Sequence, residues 1–159
     1  MTGSTGCLYV HSCPASLRAA ADSVVAAAVP ALQFLPWSPS VDALVVTAEW
    51  SGRPGSAALL TEGLRCLAAV TFEVTEDAAP GRDGERFSFV PGLGLFRAAT
   101  NSAGDVVVDE NQLGAAVRDS PNAEALRERL ARLIGAPWDD VLEPLRMRGW
   151  APARAAATG

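Results

Sequence analysis

The feature that most constrains this chain is the order in which its hydrophobic period changes over the first half. Cys7-Leu-Tyr-Val-His11 alternates with the two-residue period of a half-buried strand. Ser12 and Cys13 then lead into Pro14, which suits the first turn of a helix because its missing N–H is not needed there. From there Leu17, Ala20, Ala21, Val24, Val25 and Ala28 recur at helical spacing until Pro30 stops the pattern. The alanines favour helix and allow close approach to a sheet. A second strand is expected at Leu32–Leu35 and a third at Leu44–Trp50. A turn at Ser51-Gly-Arg-Pro54 leads into a helix with Leu60, Leu64 and Leu67 on one face, and a fourth strand follows at Val70–Glu76. This β-α-β-β-α-β order is that of a ferredoxin-like split unit, two helices covering one face of an antiparallel sheet.

Beyond the polar loop Asp77–Gly84, strands are expected at Glu85–Val90 and Leu93–Ala99. Asp105–Val108 pairs with the latter across the turn at Ala103-Gly104. The last third is helical: Glu110–Arg118, then a helix capped by Ser120 with Pro121 at its first position, striped by Leu126, Leu130, Leu133 and Ile134. Gly135 and Pro137 end it, and Trp138–Met147 makes a final helix. The expectation is α+β: a ferredoxin-like unit extended by a β-hairpin and C-terminal helices. It fills a single domain over residues 1–150, with a disordered tail over 151–159. A chain of 159 residues can bury one sizeable core, and 49% apolar against 19% charged residues is a globular balance.

Composition removes several function classes. All 13 basic residues are arginine, which excludes Schiff-base chemistry, a phosphate-loop lysine and a lysine general base. The net charge of −5, with no basic cluster larger than Arg127, Arg129 and Arg132, argues against a nucleic-acid or membrane partner. No apolar run approaches the roughly 20 residues that span a bilayer, and the N-terminus lacks the charges of a secretory leader. Cys7, Cys13 and Cys66 show no metal or disulfide spacing, so reduced thiols in a cytoplasm are expected.

The alternation also places side chains. If Leu8 and Val10 face the helices, Tyr9 and His11 face away, as do Thr47 and Glu49 on the third strand and Thr71, Glu73 and Thr75 on the fourth. With the first strand between the third and fourth, Tyr9, His11, Glu49 and Glu73 gather on one side, and Arg86 is available to hold an anionic group. Such a face is either solvated or partner-covered, or else a binding or proton-transfer site with His11 as acid or base oriented by a carboxylate. His11 is the only histidine, so any relay must use it.

Other residues carry less. Cys13 lies near a helix start, where the dipole could lower a thiol pKa, but residues two apart at a strand end need not face each other. Cys7 and Cys66 are expected in the core. Glu73, Glu76, Asp77, Asp83 and Glu85 form an acidic cluster with Arg82 and Arg86 interleaved, which favours a salt-bridged hairpin over a cation site. Gly92-Leu-Gly94 lacks the third glycine and the following helix of a dinucleotide loop. No metal or other cofactor is expected. Trp37, Trp50, Trp138 and Trp150 are expected as core or interface anchors, with Trp138 docking the last helix.

Asp83-Gly-Glu-Arg-Phe-Ser-Phe89, followed by Pro91, Gly94 and Phe96, resembles an actinobacterial family, the domain of unknown function 3145. Leu8-Tyr-Val-His-Ser12, Phe72-Glu-Val-Thr-Glu-Asp77, Gly104-Asp105 and Pro137-Trp-Asp-Asp140 support the resemblance, which runs from about Gly6 to Arg146. It implies an actinobacterial cytoplasmic origin and a fold of this length, and no activity, cofactor or site residue. Cys13 stands where the family pattern has a small non-thiol residue, which counts against a nucleophilic role. The functional expectation is a non-catalytic protein-binding or regulatory module that engages a protein or itself. The rival is a small cofactor-independent enzyme or small-molecule sensor on the Tyr9, His11, Glu49 and Glu73 face, with Arg86.

Overall fold

A computed structural model describes residues 3–148 of the chain. β1 (Ser4–Cys13) passes through a 3-10 turn at Ala15–Leu17 into α1 (Arg18–Ala28). A second 3-10 turn at Pro30–Leu32 precedes the two-residue β2 (Ser38–Pro39), then β3 (Leu44–Gly52), α2 (Ser56–Arg65) and β4 (Thr71–Glu76). β5 (Gly84–Val90), β6 (Gly94–Thr100) and β7 (Val106–Val107) extend the sheet as a meander. The described chain ends in α3 (Glu110–Asp119), α4 (Ala123–Ile134) and α5 (Ala136–Arg148). The fold is α+β, with a seven-stranded sheet in the order β2-β3-β1-β4-β5-β6-β7 and antiparallel pairing throughout.

Two apolar clusters pack against opposite faces of this sheet. The larger lies under α1 and α2, where Leu8, Val10, Val25, Leu60, Leu64, Phe72 and Val74 are buried. These are the residues the two periods assigned inward, and each fully buried aliphatic side chain contributes about 1.5–3 kcal/mol. The smaller cluster lies on the other face: Val90 and Phe96 from the sheet meet Trp138 and Leu142 from α5. The Trp138 indole Nε1 donates to the Gly94 carbonyl at 2.9 Å, so Trp138 docks α5 onto β6. Gly6 lets β1 close on its neighbours, because a Cβ there would overlap the Thr75 carbonyl oxygen and lie 2.6 Å from the Trp50 ring.

Two local expectations are corrected. Leu32–Leu35 is not a strand: Pro30 starts a 3-10 turn, and Leu32 and Leu35 enter the core from an irregular segment. Edge pairing passes instead to Ser38 and Pro39. The prolines at 30 and 36 bracket too short a stretch, and each lacks a ladder donor. Ser120 does not cap α4; its hydroxyl donates back to the Ala116 carbonyl at 2.5 Å. Asn122 caps α4 by accepting from the Ala125 N–H at 2.9 Å, which leaves Pro121 outside the helix. Trp150 and the tail over 151–159 lie outside the described residues.

Candidate functional site

Strand register decides which polar side chains meet. Tyr9 pairs across β1 and β4 with Glu73, and Glu73 pairs across β4 and β5 with Ser88. Arg86 sits two residues before Ser88 and so shares its face. A register irregularity between Val10 and Ser12 brings His11 to the same carboxylate. His11 Nε2 lies 2.7 Å from Glu73 Oε2, and the Tyr9 ring stacks against the imidazole with centroids 6.4 Å apart.

The rest of the site comes from α5. Arg146 Nε donates to Glu73 Oε2 at 2.9 Å, and its Nη2 reaches both Glu73 Oε1 and Asp139 Oδ1. Arg86 Nη2 bridges the same two carboxylates. The Ser88 hydroxyl approaches Glu73 Oε1 at 3.4 Å. Glu73 is 6% exposed, so this charge lies inside the protein and needs its partners. Asp139 and Arg146 stand seven residues apart on α5, which places both on the helix face toward the sheet.

The electrostatics follow from that packing. Burial pushes the Glu73 carboxyl up, but hydrogen bonds and charge from Arg146 and His11 outweigh it and hold the group down at about 2. Arg146 is held above its ordinary value chiefly by Glu73. The Tyr9 phenol is pushed up to about 12, first by its hydrogen bond with Cys7 and then by burial. A carboxylate this acidic is a poor base at neutral pH, and its oxygens are occupied by internal donors. What the cluster does chemically is cross-link the last helix to the middle of the sheet.

Tyr9, His11, Glu73 and Arg86 are therefore brought together, whereas Glu49 is not. Glu49 lies on β3 opposite Cys7 and is exposed. The polar face divides in two: α5 covers the β4 and β5 half, and Cys7, Tyr9, Thr47 and Glu49 line an open half on β1 and β3. Two clefts lie elsewhere. One, of ≈ 410 Å³, is lined by Pro54, Gly55, Arg82 and Asp83 among others. The other, of ≈ 590 Å³, runs past Arg97, Arg132 and Trp138. Neither is lined by Tyr9, His11, Glu49, Glu73 or Arg86.

Glu76, Asp77 and Glu85 of the acidic cluster each hold separate internal partners, apart from those of Glu73. Glu76 is buried and accepts from the Ser4 hydroxyl at 2.7 Å, the Gly55 N–H at 3.0 Å and the Ala57 N–H at 3.2 Å, with Arg82 at 3.1 Å. A strand carboxylate thus caps the start of α2, where free amides and the helix dipole favour negative charge. Glu85 pairs with Arg97 on the neighbouring strand, and Asp77 accepts from the Thr5 hydroxyl at 2.6 Å. The thiols are also redistributed. Cys13 is the core cysteine, and burial followed by the nearby Asp22 charge pushes its thiol up, opposite to what a helix start would do. Cys66 is exposed and Cys7 half-buried, so neither is a core residue. Sequence reasoning missed Asp139, Arg146 and Ser88; the seven-residue spacing of the first two was the available signal.

Fold and site together define an α+β protein whose sheet carries helices on one face and a C-terminal helix, latched by ion pairs, on the other. The chain belongs to the family described as Protein of unknown function (DUF3145), whose model matches residues 7–155. Comparison with the curated proteins and with solved structures returns no match.

Proposed function

We propose that this protein is a non-catalytic protein-binding or regulatory module. The observation that carries the reading is the coverage of Glu73 and Arg86 by α5: the convergent charged cluster is saturated by internal partners and opens onto neither cleft. Apolar surface is left uncovered on the helices instead. Leu113 and Val117, one turn apart on α3, are 43% and 63% exposed, and Ile134 at the end of α4 is 52% exposed. Apolar side chains grouped on a helix face favour a protein partner.

The strand order β2-β3-β1-β4, with α1 and α2 on one face, supports a ferredoxin-like reading of the first half, with β2 shortened to an edge fragment. A cytoplasmic setting and an actinobacterial origin belong to the same reading, on the three free thiols and the exclusive use of arginine. No helix among the described residues is long and apolar enough to cross a membrane.

The test is in-cell cross-linking of the full chain with mass spectrometry of proteins and bound small molecules. A stoichiometric protein cross-linked through α3, lost in Val117→Asp with the fold retained, is expected. A co-purifying metabolite without any protein partner would overturn the reading and restore the enzyme or sensor alternative, with His11 the first residue to substitute.

A further inference from the structure

The β3 edge of the sheet is free over most of its length. β2 pairs only with Leu44 and Val45 of β3, so from Val46 to Gly52 nothing among the described residues lies beyond β3 in the sheet. The direction of the free groups follows from the turn. The Ser40 N–H donates to the Ala43 carbonyl at 2.7 Å, so the main chain of Ala43 points toward β2. Main-chain groups alternate sides along a strand, so Val45, Thr47, Glu49 and Ser51 point the same way. Pro39 fits this register, since it sits opposite Leu44, where no donor is needed. Past β2, the N–H and C=O groups of Thr47, Glu49 and Ser51 face outward, and all three residues are exposed.

This stretch lacks the usual protection. It carries no proline and no register shift, and its one charge is Glu49. At the opposite side of the sheet, β7 pairs with Ala99 and Thr100 of β6, and Leu95 and Arg97 border the cleft that Arg132 and Trp138 also line.

We infer that the free edge of β3 pairs antiparallel with the same edge of a second copy of this chain, joining two sheets into one across a two-fold axis near Trp50. The inference rests on the protein-binding reading and names one partner for it. Strand geometry and charge select the register and the occupant. The free outward groups are those of Thr47, Glu49 and Ser51 on the strand, with Arg53 at the bend beyond it, and a register centred on Trp50 engages all four. A register centred there sets Glu49 opposite Ser51 of the second copy and Thr47 opposite its Arg53, and the incoming strand stops short of β2. Centring on Glu49 would set like charges directly opposite, and centring on Ala48 would drive the incoming strand into Ser38.

Charge complementarity agrees. Glu49 and Arg53 are exposed and form no ion pair among the described residues. In the paired edge each Glu49 lies diagonal to Arg53 of the other copy, within reach of long side chains. That contact offsets the mutual repulsion of the two Glu49 side chains. The contact is isologous and closed, so it forms dimers and not fibres.

The experiment is size-exclusion chromatography with light scattering on the full chain over a concentration series. The expected result is a concentration-dependent dimer. Glu49→Pro removes an outward N–H and no bond to β1, so it is expected to give a folded monomer by circular dichroism. If that variant fails to fold, the charges decide. Glu49→Arg is expected to weaken the dimer at least tenfold, and Glu49→Arg with Arg53→Glu to restore it. A strict monomer at the highest soluble concentration, a dimer unaffected by both Glu49 substitutions, or a failure of the charge swap to restore it would each overturn the inference. A monomer that still cross-links to a different protein through α3 would leave the protein-binding reading standing.

Discussion

Arg146 Nε donates to Glu73 Oε2 at 2.9 Å, joining residues 73 positions apart and tying the final helix to the centre of the sheet. Asp139, two turns earlier on α5, closes the other side through Arg86. Leu142, fully buried between them, supplies apolar contact. The apolar contact provides attachment, and the ion pairs fix which way α5 lies.

Glu73→Gln keeps the volume and removes the charge, leaving Arg86 and Arg146 without their buried counter-ion. Urea unfolding at neutral pH should show a loss of about 3 kcal/mol, the low end for breaking a buried pair, because Arg146 is partly solvated. The pH dependence has a definite sign. The folded-state value, about 2, is below the ordinary 4.5, so the stabilisation is present above 4.5 and is lost as pH falls toward about 2. The gap between wild type and variant should be constant near neutrality and shrink through that acidic window. A gap unchanged across it would remove Glu73 as its source.

Tyr9 is the only tyrosine, so phenolate absorbance reports it alone. Its titration should centre near 12 in the folded protein, and Cys7→Ala should bring it toward 10.0 by removing the largest cause of the shift. Because the folded value is the higher one, its stabilisation is complete below 10.0 and declines as pH rises toward about 12. A midpoint at the ordinary value in the folded wild type would contradict the Cys7 contact.

Gly135 ends α4 with φ at 82°, and a Cβ there would meet the Phe96 ring at 2.6 Å. Gly135→Ala should therefore destabilise by more than about 1 kcal/mol, since both the backbone and the packing resist it. Thermal unfolding checks the magnitude. Near-ultraviolet circular dichroism should report a changed Trp138 environment, because the same turn sets α5 against β6. An unaltered melting temperature would mean that the α4–α5 turn rearranges freely.

Much of this was legible from period and punctuation. The two-residue alternation of Leu8 and Val10, of Val46 and Trp50, and of Phe72 and Val74 identified the inward side chains, and so put Tyr9, His11 and Glu73 on the opposite face. The glycine at 104, with φ at 86°, marked the β6–β7 turn. Local competition was harder to read. Ser120 and Asn122 are both good cap residues, but Ser120 ends α3 and gives its hydroxyl to the Ala116 carbonyl, which left Asn122 to cap α4. Leu32 and Leu35 have strand composition, but the flanking prolines turned the segment into a loop that still fills the core.

The sequence by itself determined which side chains share a face, because strand and helix periods are local consequences of backbone geometry. It also determined the absence of lysine chemistry and the dependence of any relay on His11. Only the tertiary structure decided that α5 lies over Glu73 and Arg86, that Glu49 stays outside the cluster, and that Cys13 is the buried thiol. A period states how a segment is amphipathic and not what covers it. The match between Asp139 and Arg146 on one helix and Glu73 and Arg86 on two strands exists only once the sheet register has set the strand residues side by side.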